Sequence, residues 1–264
     1  MARRGCDDVD LEYRNAMGTK AIDPQAIRNV TIIGDPGGAT RLTHRLRRCF
    51  GDTENTVRWS TEGVEHTIRV TAPASEALIA DLERCIRLAD GVVVVVDAAA
   101  QSTPRLDTML RVADDHQVAR LCLVTGLDGP TADFDRCLHA IADIRGATPL
   151  ALQVPVGTGG DFGGVIDLVS AAVLGAAGQH RESAERWCRA LVETLTEPDP
   201  AVSDCLTVRD LHNCIRGRTR NGDIVPILCD APRASDDIAA LLDAVVRYLP
   251  SPMYVCQPEH VLDY

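Results

Sequence analysis

Lysine is nearly missing from this chain. The one instance, Lys20, falls ahead of the first stretch with strand character. Any site built from later residues must manage without an ε-ammonium group. No apolar run approaches the roughly 20 residues that a membrane span needs. Arg3 and Arg4 have no apolar stretch behind them, so neither a membrane span nor a secretory signal is expected. Ten cysteines include no Cys-x-x-Cys pair, which leaves out the ligand spacing of a structural zinc site. With no signal sequence, a reduced, cytoplasmic protein is the expectation. Positive charge is short as well: Lys plus Arg is 27 against 38 for Asp plus Glu, a net charge of −11. That argues against broad contact with nucleic-acid phosphates, DNA included. Neither an internal repeat nor a low-complexity tract occurs.

What is present suits one large α/β domain, or one domain carrying a sub-domain: 264 residues, 45% of them apolar. Strands are expected near 28–33, 56–60, 66–70, 91–98, 119–124 and 224–229. Helices are expected near 39–49, 75–88, 106–116, 132–145 and 236–248. Five consecutive valines, Val92 to Val96, read as a central strand buried on both faces. Such alternation implies a mostly parallel sheet with helices on both faces. Between 147 and 221 the pattern changes to strands near 150–156 and 162–168, then helices near 182–196 and 208–218 separated by Glu197-Pro198-Asp199-Pro200. We read an α+β sub-domain inserted before the last strand. The expected division is an N-terminal arm at 1–24, a main domain at 25–146 and 222–250, the insert at 147–221 and a tail at 251–264. Cys85, Cys122 and Cys229 read as small core residues. His66, His116 and His139 form no catalytic grouping. Two basic spots, Arg41/Arg45/Arg47/Arg48 and Arg216/Arg218/Arg220, read as solvated helix faces.

The turn Gly34-Asp35-Pro36-Gly37-Gly38-Ala39-Thr40 joins a strand to a helix, the setting in which backbone N–H groups cradle phosphate. A phosphate loop reads G-x-x-x-x-G-K-[ST]. Here the glycines are in place, the loop is one residue short, and alanine stands where the lysine belongs. By itself the turn reads by default as a plain tight turn. A dinucleotide fingerprint fits worse, because the G-x-G-x-x-G spacing is not there.

Further segments lend that turn a context. Arg28-Asn29-Val30-Thr31-Ile32-Ile33 with Leu42-Thr43-His44-Arg45-Leu46, Ala89-Asp90-Gly91 running through the valines to Asp97-Ala98, and Ala132-Asp133-Phe134 succeed one another along the chain. Phe162-x-Gly164-Val165-Ile166-Asp167-Leu168 follows. Val225-Pro226-Ile227-Leu228-Cys229 and Tyr248-Leu249-Pro250-Ser251-Pro252 close the series. Together, over about residues 26–255, they resemble the GTP-binding domain of translation factors of the elongation factor G type, with the tetracycline ribosomal-protection proteins as close relatives. The resemblance implies a P-loop NTPase-like fold with the inserted α+β sub-domain.

Carried over position by position, the resemblance puts the phosphate-binding lysine at Ala39 and the magnesium-binding hydroxyl at Thr40. The Asp-Thr-Pro-Gly-His motif falls on Thr71-Ala72-Pro73-Ala74-Ser75, so its aspartate is Thr71, its γ-phosphate-sensing glycine Ala74 and its water-orienting histidine Ser75. Positioning and charge stabilisation are nearly all that a protein contributes to phosphoryl transfer. The stretch 50–65 leaves no room for the long first switch. The guanine motif Asn-Lys-x-Asp corresponds to Thr125-Gly126-Leu127-Asp128, in which Asp128 alone is kept. The Ser-Ala element corresponds to Asp230-Ala231-Pro232 and brings negative charge toward the guanine carbonyl. Lys20 matches neither lysine role.

The expectation is therefore a pseudo-GTPase: a vestigial nucleotide site at Gly34, Gly37, Gly38, Ala39, Thr40 and Asp128, degenerate switch positions at Thr71, Ala74 and Ser75, and no catalytic residue. No cofactor is expected, or GTP/GDP held weakly with magnesium on Thr40. Translocation by this chain alone is not expected, since the family's later domains would follow Tyr264. A protein-binding module is the first functional reading. Its candidate partner is the ribosomal stalk protein, which the inserted sub-domain meets in this family. A weak GTP-binding protein or GTPase whose turnover a partner supplies is the second. A different anion at Gly37 and Gly38 is the third.

Overall fold

The computed structural model describes residues 23–52, 55–74, 77–101, 105–144, 146–174, 181–196, 207–230 and 237–254. Most of the expected arm and tail, Lys20, Ser75, Ala231, Pro232 and Glu197-Pro198-Asp199-Pro200 lie outside them. After a 3-10 turn at Pro24–Ala26, the chain runs β1 (Ile27–Gly34), α1 (Pro36–Phe50), β2 (Gly51–Asp52), β3 (Thr56–Thr61) and β4 (Val64–Thr71). Next come α2 (Ile79–Arg87), β5 (Gly91–Asp97), α3 (Leu106–Asp115), β6 (Ala119–Thr125) and α4 (Phe134–Ala142). The remainder is β7 (Pro149–Ala151), β8 (Gln153–Pro155), β9 (Val165–Asp167), α5 (Leu168–Leu174), α6 (Arg181–Thr196), α7 (Val208–Arg220), β10 (Val225–Cys229) and α8 (Asp237–Tyr248).

Eight strands form one sheet in the order β2-β3-β4-β1-β5-β6-β10-β7. From β4 to β7 every pairing is parallel, and β3 and β2 add an antiparallel edge. The five valines of β5 are buried between β1 and β6. Side chains buried on both faces of a strand need a helix layer on each face, and the helices supply it. Successive connections lead from β1 toward β4 and from β5 toward β6, so the order reverses between β1 and β5. Ligands of open α/β sheets bind at the carboxyl ends of the strands at such a reversal.

Several element boundaries differ from the sequence expectation, each for a local reason. α1 starts at Pro36, three residues early, because proline's fixed φ suits the first helical position. Gly37 and Gly38 are therefore helical and do not belong to an open loop. α2 spans Ile79–Arg87 and not 75–88. The strand expected at 150–156 breaks at Leu152. Its first half, expected in the insert, is the edge strand β7 of the main sheet, and its second half pairs antiparallel with β9. The strand expected at 162–168 shrinks to β9 because Asp167 starts α5, its carboxylate accepting from the N–H groups of Val169 (2.9 Å) and Ser170 (3.2 Å).

The second basic spot is not a solvated face. Arg216, Arg218 and Arg220 are half-buried. Arg216 donates to the Arg247 carbonyl and Arg218 to the Thr194 carbonyl, while Arg220 lies 4.8 Å over the Tyr254 ring. Arg28, 5% exposed on β1, donates to the Val246 carbonyl at 2.9 Å. Two arginines thus satisfy carbonyls in the last turn of α8, which the helix itself leaves unpaired. One continuous apolar core joins the sheet to Leu168, Cys188, Leu191, Leu211 and Ile215 of the inserted helices. Among the described residues no helix is long and apolar enough to cross a membrane.

Candidate functional site

At the end of β1 the chain turns over β5. Gly34 has φ +122°, and a Cβ there would lie 2.1 Å from the Val95 carbonyl oxygen. No other residue fits a backbone this close at that φ. Asp35 then donates its N–H to the same carbonyl at 2.8 Å. With α1 beginning at Pro36, Asp35 is in the N-cap position. Its carboxylate accepts the Gly38 N–H at 2.6 Å, and its carbonyl accepts the Ala39 N–H at 2.8 Å.

That capping decides the electrostatics of the turn. A bare helix N-terminus attracts anions through unpaired N–H groups and the positive end of the helix dipole. Here Pro36 has no N–H, and the groups of Gly38 and Ala39 are already engaged. The carboxylate of Asp35 meets the dipole from within the chain, and its charge opposes a second anion. The sequence holds the signal, Asp followed by Pro at a helix start, but the glycines around it point to a phosphate loop instead.

The other expected positions are dispersed along the carboxyl edge of the sheet. Thr40 lies on the exposed side of α1. Thr71 ends β4 opposite Thr31, three residues short of Gly34. Ala74 is exposed beyond it, and Ser75 is outside the described residues. Past β6, Gly126 has φ +69° with the Asp97 carboxylate 2.2 Å from where a Cβ would be. Leu127 is fully buried and Asp128 is exposed. Asp230, expected on sequence grounds to bring negative charge toward the guanine carbonyl, has a partner: Arg45 of α1 places Nη1 2.9 and 3.1 Å from its two carboxylate oxygens. The first basic spot is thereby divided, with Arg45 in this half-buried ion pair and Arg41, Arg47 and Arg48 exposed.

A cavity of about 330 Å³ opens beside this turn, between β1, α1, the segment after β4 and the starts of α2 and α3. It takes in Gly34, Ala39, Thr40 and Ala74 of the expected positions, but not Gly37, Gly38, Thr71 or Asp128. Its floor is Ile32, Ile33, Leu82 and Met109, all buried. A second, wider groove of about 830 Å³ runs between the start of α4 and α6, where Phe134 and Trp187 meet edge to face at 6.2 Å.

The histidines lie apart. His66 is buried, His116 faces Glu83 at 3.1 Å, and His139 faces the Asp135 carbonyl at 2.7 Å. Cys122 and Cys229 are buried in the core and Cys85 is half-buried. Burial pushes the thiols of Cys122 and Cys229 up, and that of Cys137 to about 11, which keeps them protonated and unreactive at neutral pH.

Residues 53–251 match the family model described as the elongation factor Tu GTP binding domain. The match begins after the turn at 34–40. Among solved structures, a protein from Thermus thermophilus superposes with a TM-score of 0.72 at 19% identity, over 87% of this chain and 41% of that one. This chain thus spans about two fifths of that protein's length, and at this identity the likeness is one of fold.

Proposed function

The chain belongs to the elongation factor Tu GTP-binding domain family, and on that premise we propose that it is a member that has given up nucleotide and works as a protein-docking module. The observation carrying this reading is the Asp35 carboxylate on the Gly38 N–H, 2.6 Å away. It occupies the helix end that the family offers to phosphate. The residues present do not fit GTP with magnesium: alanine stands at 39, and the sole lysine is Lys20. A charge-assisted contact of the kind that dominates phosphate binding is missing, so no hydrolytic step is assigned to this site.

Docking is assigned to the groove between α4 and α6. Trp187, half-buried and packed edge to face on the buried Phe134, presents an aromatic face there, with the exposed Arg186 beside it. Aromatic and arginine side chains are the usual anchors of protein interfaces. The ribosomal stalk protein is the first partner to test, and a cytoplasmic location goes with that reading.

Titration calorimetry with GDP and GTP, with and without magnesium, is the direct test. No heat is expected at micromolar protein, and binding at ~10 µM or tighter sinks the proposal. In a pull-down, immobilised stalk protein is expected to retain the chain and to lose Trp187→Ala. Failure to retain the unaltered chain removes that partner. A second reading, weak guanine binding with turnover supplied by a partner, draws on the exposed Asp128. It alone predicts that Asp128→Ala abolishes a preference for guanine over adenine nucleotides.

A further inference from the structure

We propose that the cavity beside α1 is a binding site for a small organic monoanion with an apolar body, an alkyl or aryl carboxylate of roughly ten non-hydrogen atoms. The proposal rests on the reading that Asp35 has closed the phosphate turn, since a nucleotide would reach toward the same space. Three features of the cavity specify this chemistry.

The first is size: about 330 Å³ is at the small end of ligand pockets and, at ~30 Å³ for each water displaced, equals some eleven waters. The second is the floor. Ile32, Ile33, Leu82 and Met109 are each no more than 7% exposed and present an apolar surface that water covers poorly. The third is charge. The chain carries 38 acidic against 27 basic residues, yet among the described residues none of the sixteen that line the cavity is Asp or Glu, and three are His44, Arg47 and Arg105. Such a rim selects a negative head group, while the floor selects an apolar body.

Arg105 carries the most specific signal. It has φ +64°, left-handed for a residue with a side chain, and that conformation costs on the order of 1 kcal/mol or more. Its guanidinium donates through Nη1 to the Ala77 carbonyl at 3.0 Å, which holds it across the cavity between α2 and α3. A planar guanidinium tethered by one nitrogen still has donors for a carboxylate. The third sequence expectation, a different anion at Gly37 and Gly38, is thus moved: the anion site is next to those residues and reaches neither.

Octanoate and 1-octanol are the probes, titrated calorimetrically into the full chain. Octanoate is expected to bind with Kd on the order of 100 µM, as ten atoms of ordinary efficiency allow, and at least tenfold tighter than octanol. Arg105→Ala and Arg47→Ala together are expected to erase that preference. Ala39→Phe, which fills the cavity, is expected to abolish binding, and Ala72→Phe from the opposite wall serves if Ala39→Phe fails to fold. Silence with octanoate, equal binding of octanol, or octanoate binding that survives the filling variant overturns the proposal. GTP titrated in parallel separates the two readings. GTP binding overturns the loss of nucleotide, whereas silence with both GTP and octanoate overturns the cavity site alone.

Discussion

Gly34 and Asp35 are adjacent and fail differently when changed. At Gly34 both the left-handed φ and the 2.1 Å approach to Val95 forbid a side chain. Gly34→Ala is expected to cost about 3 kcal/mol, read as a lower denaturant midpoint with an unchanged slope. Asp35→Ala removes only a cap and should cost about 1 kcal/mol, with Asp35→Ser recovering most of it. The two Asp35 variants also test the idea of a built-in anion. With the Gly38 N–H released in Asp35→Ala, millimolar inorganic phosphate should raise the melting temperature of that variant and leave the unaltered protein where it was. A phosphate response in the unaltered protein would show that the carboxylate does not close the turn.

Elements are joined here by groups whose burial makes stability depend on pH. His66 on β4 is held below the usual histidine range by burial and by Arg28, against an opposing hydrogen bond with the Ala26 backbone. His212 on α7 shares a 2.7 Å hydrogen bond with Tyr248 of α8, and burial, then Arg247, hold it low as well. The unfolded chain takes up protons near the ordinary value of 6.5 and the folded chain only below it. Stability from these two residues is therefore complete above about pH 6.5 and is lost as pH falls through the window beneath it. Urea midpoints should be lower at about pH 5.5 than at about pH 7.5, and replacing both His66 and His212 with Gln should shrink the difference. Asp90, raised by burial, works in the opposite sense and lower on the scale: its charged form is the disfavoured one, so its contribution falls as pH rises above about 3.8.

The whole molecule is expected to unfold as one unit despite its insert. The apolar core is continuous from the valines of β5 to Leu191 and Leu195 of α6 and Ile215 of α7. Arginines from β1 and α7 both terminate α8. The two tryptophans sit on opposite parts, Trp59 on β3 hydrogen-bonded to Asp243 at 2.7 Å and Trp187 on α6 against Phe134. Single-tryptophan variants, Trp59→Phe and Trp187→Phe, should report the same denaturant midpoint as far-ultraviolet circular dichroism. Two separated midpoints would make the insert an independent folding unit.

The layered α/β fold was legible from the residues, because hydrophobic period and β-branched runs are local properties. Val92 to Val96 could only be a central strand, and the helices between strands required a mostly parallel sheet. The near absence of lysine was equally legible, since no folding can place a group the chain does not have. Position at the site was not legible in the same way. Asp35 read as one residue of a glycine-rich turn, and only the start of α1 at Pro36 turned its carboxylate onto Gly38. Asp230 read only as negative charge toward the guanine carbonyl, and it is the packing of α1 that brings Arg45 to it across 185 residues of sequence. Leu150 to Val156 read as one strand, and which sheet each half joins was settled by partners distant in the chain. Local patterning sets what each segment becomes; the charges and cavities of the site depend on which segments meet, and those meetings are long-range contacts that only the packed tertiary structure decides.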